Sequence, residues 1–199
     1  MADNIQVPEG ARDRGKVAPA KLAHFVLRTP RYSEMISWYQ TVLEAEVVAG
    51  SDFATFMTYD DEHHRVAFIN MPDCRPSDPN VAGVDHCAFT YETIDDLFAT
   101  YERLKAVGIE PYWTVNHGPT LSFYYRDPDG NQIELQIDIF ASNEALNEWM
   151  RGSDFDTNPI GVKFDADDLI RRYRAGEPAA DLLDRPVIDP KEVPAQLPG

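Results

Sequence analysis

Thiols are nearly absent from this sequence: Cys74 and Cys87 are its only cysteines, and they do not form a CxxC pair. A disulfide framework or a thiolate zinc site is therefore not indicated. Basic residues are also scarce, with 18 Lys and Arg against 34 Asp and Glu, for a formal net charge of −16 at pH 7. Such a surface is repelled by phosphate backbones and anionic lipid, which argues against nucleic acid or a membrane as partner. Long apolar runs are missing too. No stretch approaches the ~18 residues of a membrane span, and the opening MADNIQVPEGARDRGK lacks the apolar centre of a secretion signal. The expected location is the cytoplasm. Histidine is rare as well, at five residues: His24, His63, His64, His86 and His117.

What is present is enough to bury a core. The 199 residues are 43% hydrophobic and 11% aromatic, sufficient for one sizeable folded unit. Residues 1–20 read as a loose polar arm. From Lys21 the pattern changes: KLAHFVLRT reads as a strand and YSEMISWYQTVLEA as an amphipathic helix, and VVAGSDFATFMTYD and HHRVAFINM follow as strands. After the Pro- and Asp-rich PDCRPSDPN the order restarts. GVDHCAFTYE is a strand, TIDDLFATYERLKAVG a helix with a glycine stop, and PYWTV, SFYYR and QIELQID are strands.

The halves keep register, because His24 and His86, Met35 and Leu97, and Tyr39 and Tyr101 each lie 62 positions apart. A repeat of this period is a duplicated supersecondary unit. The expected fold class is α+β, with two βαβββ modules at about residues 21–72 and 83–139 within a unit spanning 21–140. Their helix-free faces are expected to turn toward each other as a curved mixed sheet around a cleft. Residues 141–199 form a C-terminal extension with a helix at NEALNEWMR, a second short helix and a proline-rich end. It is expected to pack on the core or on a partner subunit, with a lid over the pocket as the alternative.

In QIELQID, Ile133, Leu135 and Ile137 alternate with Gln132, Glu134, Gln136 and Asp138. If the isoleucines and leucine face the helix, Glu134 faces the cleft. His24 and His86 hold equivalent places on the first strand of each module. Two imidazoles and a carboxylate converging from three strands make a facial triad for a divalent metal ion, leaving its opposite positions open.

On these residues the chain resembles the vicinal oxygen chelate superfamily, and within it the type I extradiol ring-cleavage dioxygenases in a short form. His24 in LAHFVLRT, His86 in VDHCAF and Glu134 in DPDGNQIELQ match that family's iron ligands. His64 in DEHHRVAF matches its acid/base, and His117 with Tyr124 in HGPTLSFYY its hydrogen-bond donors to substrate oxygens, although their spacing is shorter than in two-domain enzymes. The resemblance implies an Fe(II) enzyme, with Mn(II) as the alternative ion, that opens a catecholic substrate with O2 in aromatic degradation, and it implies a homo-oligomer. The competing readings are a metal-dependent thiol transferase acting on an epoxide and a non-catalytic drug-binding module. A four-ligand isomerase site is disfavoured because the offset of 62 pairs Glu134 with Pro72. Trp113, Phe53, Phe56 and Tyr112 are expected in the core, with the lining of an apolar substrate pocket as the alternative; Tyr125 and Cys87 are expected in the core, and His63 at the surface.

Overall fold

The computed structural model describes residues 18–75, 78, 80–188 and 191, so most of the expected N-terminal arm and the proline-rich end lie outside the described residues. The first module runs β1 (Phe25–Thr29), α1 (Tyr32–Leu43), β2 (Glu46–Gly50), β3 (Ala54–Thr58) and β4 (Val66–Asn70). The second runs β5 (His86–Thr90), α2 (Ile94–Ala106), β6 (Trp113–Asn116), β7 (Thr120–Arg126) and β8 (Gln132–Asp138). The extension holds α3 (Asn143–Met150), α4 (Ser153–Thr157), β9 (Val162–Lys163), α5 (Ala166–Arg174) and α6 (Ala179–Leu183).

Each helix has a local cause. Met35, Tyr39 and Val42 fall on one face of α1 and are fully buried. In α2 the Thr93 side chain caps the amide of Asp96, Asp95 and Asp96 occupy the positive end of the helix dipole, and Arg103 and Lys105 the negative end. Gly108 then takes φ +79, the left-handed turn that ends the segment.

The strands form two open mixed sheets, ordered β1-β4-β3-β2 and β5-β8-β7-β6-β9. In each, the first strand pairs parallel with the module's last, and the other neighbours are antiparallel. The α+β class and the two βαβββ modules are as expected; the strands divide into two open sheets, and the helix-free faces do not form the core. The helix-bearing sides merge instead, joining Met35, Tyr39 and Val42 to Leu97, Phe98, Phe123 and Leu135 in a single core. A lone helix ~10 Å wide cannot cover a sheet whose strands lie ~4.8 Å apart, so two half-covered faces bury more apolar area together. Arg103 reinforces the seam by donating to the carbonyls of Thr41 and Val42, and the Tyr39 hydroxyl donates to Asp127 at 3.2 Å.

The extension packs on the second module. Its β9 adds to β6 at the sheet edge, and α5 buries Ala166, Leu169 and Ile170 in the core. Among the described residues no helix is long and apolar enough to cross a membrane.

Candidate metal centre

Parallel pairing of β5 with β8 sets Ala88 opposite Glu134, and antiparallel pairing of β7 with β8 sets Tyr124 opposite the same carboxylate. Because strand side chains alternate, His86, Glu134 and Tyr124 share the face away from Ile133, Leu135 and Ile137, which are buried in the core. Glu134 is only 4% exposed, and its Oε2 lies 3.0 Å from Nε2 of His86. The other nitrogen of His86, Nδ1, meets the Asp85 carboxylate at 2.6 Å. The Glu134 and Asp85 hydrogen bonds together outweigh burial and push the His86 pKa up to about 9. Burial pushes the Glu134 carboxyl up, but hydrogen bonds from His86, Ser122 and Tyr124 outweigh it and hold the group below its ordinary value. In this pair a protonated imidazole faces a buried carboxylate, and the same nitrogen and oxygen are suited to a divalent cation once the proton leaves.

Beside this pair stands a second one. Tyr124 Oη lies 3.0 Å from Nε2 of His117, and Nδ1 of that ring meets the backbone carbonyl of Ile160. A carbonyl can only accept, so the neutral ring carries its proton on Nδ1 and leaves Nε2 as an acceptor. Burial keeps the ring neutral by pushing its pKa down. The Tyr124 hydroxyl also hydrogen-bonds Glu134, so two acceptors compete for one proton, and burial followed by the Glu134 charge raises its pKa far above the ordinary phenol. Trp113 stacks on Tyr124 with ring centroids 4.8 Å apart. Tyr112, Trp113, His117, Tyr124 and His86 line a cleft of about 860 Å³, within the size range of small-molecule sites.

The extension builds part of this wall. Asn158 accepts from the amides of Ile160 and Gly161 and donates to the Gly161 carbonyl, fixing the turn that presents the Ile160 oxygen. Gly161 sits at φ +117, and a Cβ there would stand 2.5 Å from the Asn116 carbonyl oxygen, so only glycine fits. Arg185 donates to the carbonyls of His117, Asn158 and Asp154 at 3.1, 2.8 and 3.0 Å, and stacks on Trp149.

His24 and His64 belong to a different group. Their rings are tilted by 34° with centroids 4.3 Å apart, and Phe56 meets His64 edge-on at 5.1 Å. His64 lies on the loop before β4, where its Nδ1 stands 2.6 Å from Nδ1 of exposed His63. Burial, then the charges of His24 and His63, lower the His64 pKa. His24 and Phe56 are exposed on the first module's helix-free face, and Phe53 is 66% exposed, contrary to the expected core placement of both phenylalanines. Among the described residues no three His, Cys, Asp or Glu side chains come together as a metal-holding group. The structure thus brings His86, Glu134, His117 and Tyr124 together, and His24 and His64 together, on the faces of separate sheets.

Strand pairing also refines the internal repeat. Val26 faces Ala67 as Ala88 faces Glu134, so the residue equivalent to Glu134 is Ala67, not Pro72. The offset of 62 slips because only residues 44–45 join α1 to β2, whereas residues 107–112 join α2 to β6. No carboxylate occupies the equivalent position under either alignment. Asp85, Arg185 and the Ile160 carbonyl went unnoticed in the sequence. Asp85, next to His86 in VDHC, was the one with a readable signal.

A family model for the Glyoxalase/Bleomycin resistance protein/Dioxygenase superfamily matches residues 21–135. The chain is 45% identical over 162 residues to biphenyl-2,3-diol 1,2-dioxygenase 2 of Rhodococcus globerulus, covering 81% of this chain and 85% of that protein. It is 44% identical to biphenyl-2,3-diol 1,2-dioxygenase 3 of the same organism, over 83% and 88% of the two chains. Among solved structures, a glyoxylase/bleomycin resistance protein/dioxygenase domain from Frankia sp. EAN1pec superposes with a TM-score of 0.52 at 19% identity, over 61% of this chain and 99% of that one, a likeness of fold.

Proposed function

The chain belongs to the Glyoxalase/Bleomycin resistance protein/Dioxygenase superfamily, and from that premise we propose that it is an extradiol dioxygenase cleaving a catecholic ring with O2. The observation that carries this reading is the buried Glu134 facing His86, with the Tyr124–His117 pair beside it at the wall of an aromatic cleft. Two relatives of 44 and 45% identity, both named as biphenyl-2,3-diol 1,2-dioxygenases, favour ring cleavage over thiol transfer or drug sequestration.

His24, His86 and Glu134 would hold ferrous iron, or manganese in its place, and when bound the ion supplies a Lewis acid at which diol and O2 meet. Tyr112 and Trp113 offer flat apolar walls to the substrate ring. His64, whose lowered pKa leaves it neutral at pH 7, is the acid/base that takes a proton from the diol. Tyr124 turns its single hydroxyl proton from Nε2 of His117 toward developing oxygen charge on the substrate. His117, with Nδ1 committed to Ile160, accepts that proton until the substrate oxygen takes its place, and so orients the tyrosine. Residues 21–140 are the catalytic unit in this reading, and the enzyme works in the cytoplasm as a homo-oligomer.

The test is an oxygen electrode. Protein loaded anaerobically with Fe(II) and given biphenyl-2,3-diol or simpler catechols should consume one O2 per diol and form a yellow product. No oxygen uptake across a panel of diols, with iron bound, would overturn the proposal.

A further inference from the structure

His63 takes no part in the reaction proposed above, yet its ring meets that of His64, with Nδ1 of one 2.6 Å from Nδ1 of the other. We propose that this adjacent pair is a second metal site, taking one ion of the nickel or copper class through both Nδ1 atoms, and that its occupation switches the enzyme off by engaging His64. The binding stands on the geometry of the pair. The inhibition rests on His64 being the acid/base of the proposed reaction.

The first observation is the nitrogen separation. Two facing ring nitrogens at 2.6 Å cannot both carry a proton, so one donates and the other accepts. A metal ion can stand where that proton stands. With metal–nitrogen bonds of about 2.0–2.1 Å, two nitrogens on one ion sit about 2.9 Å apart at a right angle and about 3.4 Å apart at the tetrahedral angle. The observed separation lies nearer the right angle, which is the geometry of tetragonal Cu(II) and Ni(II) and not of zinc. A donor set made only of imidazoles and the Irving–Williams order both favour these late ions over Fe(II) and Mn(II).

The second is the setting of the pair. The loop before β4 is tied down: the Thr58 hydroxyl donates to the Glu62 carbonyl at 2.8 Å, and Arg65 donates to the Asp60 carboxylate at 2.9 Å and to the Leu22 carbonyl at 2.7 Å. His24 and Phe56 pack against the His64 ring, with centroids 4.3 and 5.1 Å away, and fix its direction. The His63 side chain is 67% exposed, so an ion reaches the pair from solvent. Oε1 of Glu62 lies 3.7 Å from Nε2 of His63. Glu62 also pairs with Lys21 and Arg65, so it lends negative charge beside the ring and is not a third ligand. The result is a two-nitrogen chelate whose other positions fall to water.

The third is what such an ion does to His64. A neutral imidazole has one N–H and one lone pair. Coordination through Nδ1 spends the lone pair and leaves the proton on Nε2, so the ring can no longer take a proton from the diol. His86 and Glu134, on the second sheet, are untouched.

The test uses untagged, full-length enzyme loaded with ferrous iron, and Ni(II) as the probe, because nickel oxidises neither the iron nor the diol. Equilibrium dialysis should find one Ni(II) per chain beyond the iron, with the iron retained, and oxygen uptake should fall in step with that occupancy. His63→Asn should fold and turn over as wild type does, while losing one arm of the chelate should weaken Ni(II) binding, and inhibition with it, at least about tenfold. His64→Asn, read for Ni(II) binding alone, should match it. Nickel that binds and inhibits His63→Asn as it does wild type, or that acts only by driving out the iron, would overturn the proposal. So would an occupied pair with undiminished turnover. Ferrous enzyme that consumes no oxygen before nickel is added would instead count against the dioxygenase reading, and the dialysis of wild type beside His63→Asn would still decide whether the pair holds metal.

Discussion

Nε2 of His117 lies 3.0 Å from the hydroxyl of Tyr124 while Nδ1 of the same ring faces the carbonyl of Ile160, so one backbone oxygen in the extension dictates which way the tyrosine proton points. At pH 7 the buried ring should be neutral with its proton on Nδ1. Nitrogen-15 NMR of histidine-labelled protein should find one ring in that tautomer, lost in His117→Asn. Tyr124→Phe should lower turnover by roughly 100- to 1000-fold, the usual worth of one donor aimed at developing charge, with bound iron unchanged. Lost iron would instead make Tyr124 a prop for Glu134.

Arg185 acts on this pair from a distance, as a positioning residue. Its guanidinium ties the carbonyls of His117, Asn158 and Asp154 together. Arg185→Leu should release the turn carrying Ile160, so that the His117 ring populates both tautomers and the acidic limb of the pH–rate profile shifts upward. Arg185→Lys, which can reach one carbonyl but not all three, should restore part of each effect. A variant that loses only melting temperature, with tautomer and pH profile intact, would confine Arg185 to a structural role.

The order of elements was readable in the sequence because each strand and helix carried its own periodicity, and Met35, Tyr39, Leu97 and Tyr101 are buried as the repeat required. Glu134 was also readable, since alternation with Ile133 and Leu135 fixes its side of the sheet. The relation between the two sheets was not. Periodicity says which face of each sheet is apolar, but not whether a helix-covered face meets another such face or the same chain's helix-free one. The placement of Phe53 and Phe56 failed for the same reason: an aromatic residue looks alike at a core and at a surface awaiting cover. The Ile160 carbonyl could not have been foreseen, because a backbone oxygen has no residue type.

Acid should loosen the extension before the core. Tyr173 and Arg174 on α5 bond Asp95, Arg174 also pairs with Glu102, and Lys105 on α2 pairs with Asp167. The hydrogen bonds of Tyr173 and Arg174 hold Asp95 below its ordinary pKa, and those of Lys105 and Tyr101 do the same for Asp167. A carboxylate with a depressed folded pKa contributes stability above its unfolded value near 4, and that contribution fades as pH falls through the lower folded value. These groups are exposed, so salt should weaken them as well. Limited proteolysis should therefore cut between α3 and α5 faster below about pH 4 than at pH 7, with 1 M NaCl giving a smaller increase. Equal cutting at both pH values would mean that Leu169 and Ile170 hold the segment unaided.

Two neighbours on β8 should separate fold from function. Leu135 is 1% exposed and packs in the shared core, so Leu135→Ala removes apolar contact and leaves a cavity, costing about 2–5 kcal/mol. Glu134, one position earlier, points the other way, to His86 and Tyr124. Glu134→Gln keeps the shape while removing the charge that pairs with His86⁺, so His86 should lose its proton nearer neutrality and the fold should change little. Chemical denaturation of the metal-free proteins should show a large fall in midpoint for Leu135→Ala and a small one for Glu134→Gln. Iron loading should show the reverse order. If Glu134→Gln instead unfolds the chain as readily as Leu135→Ala, the carboxylate is holding the second sheet together, and its place as a metal ligand loses its main physical support.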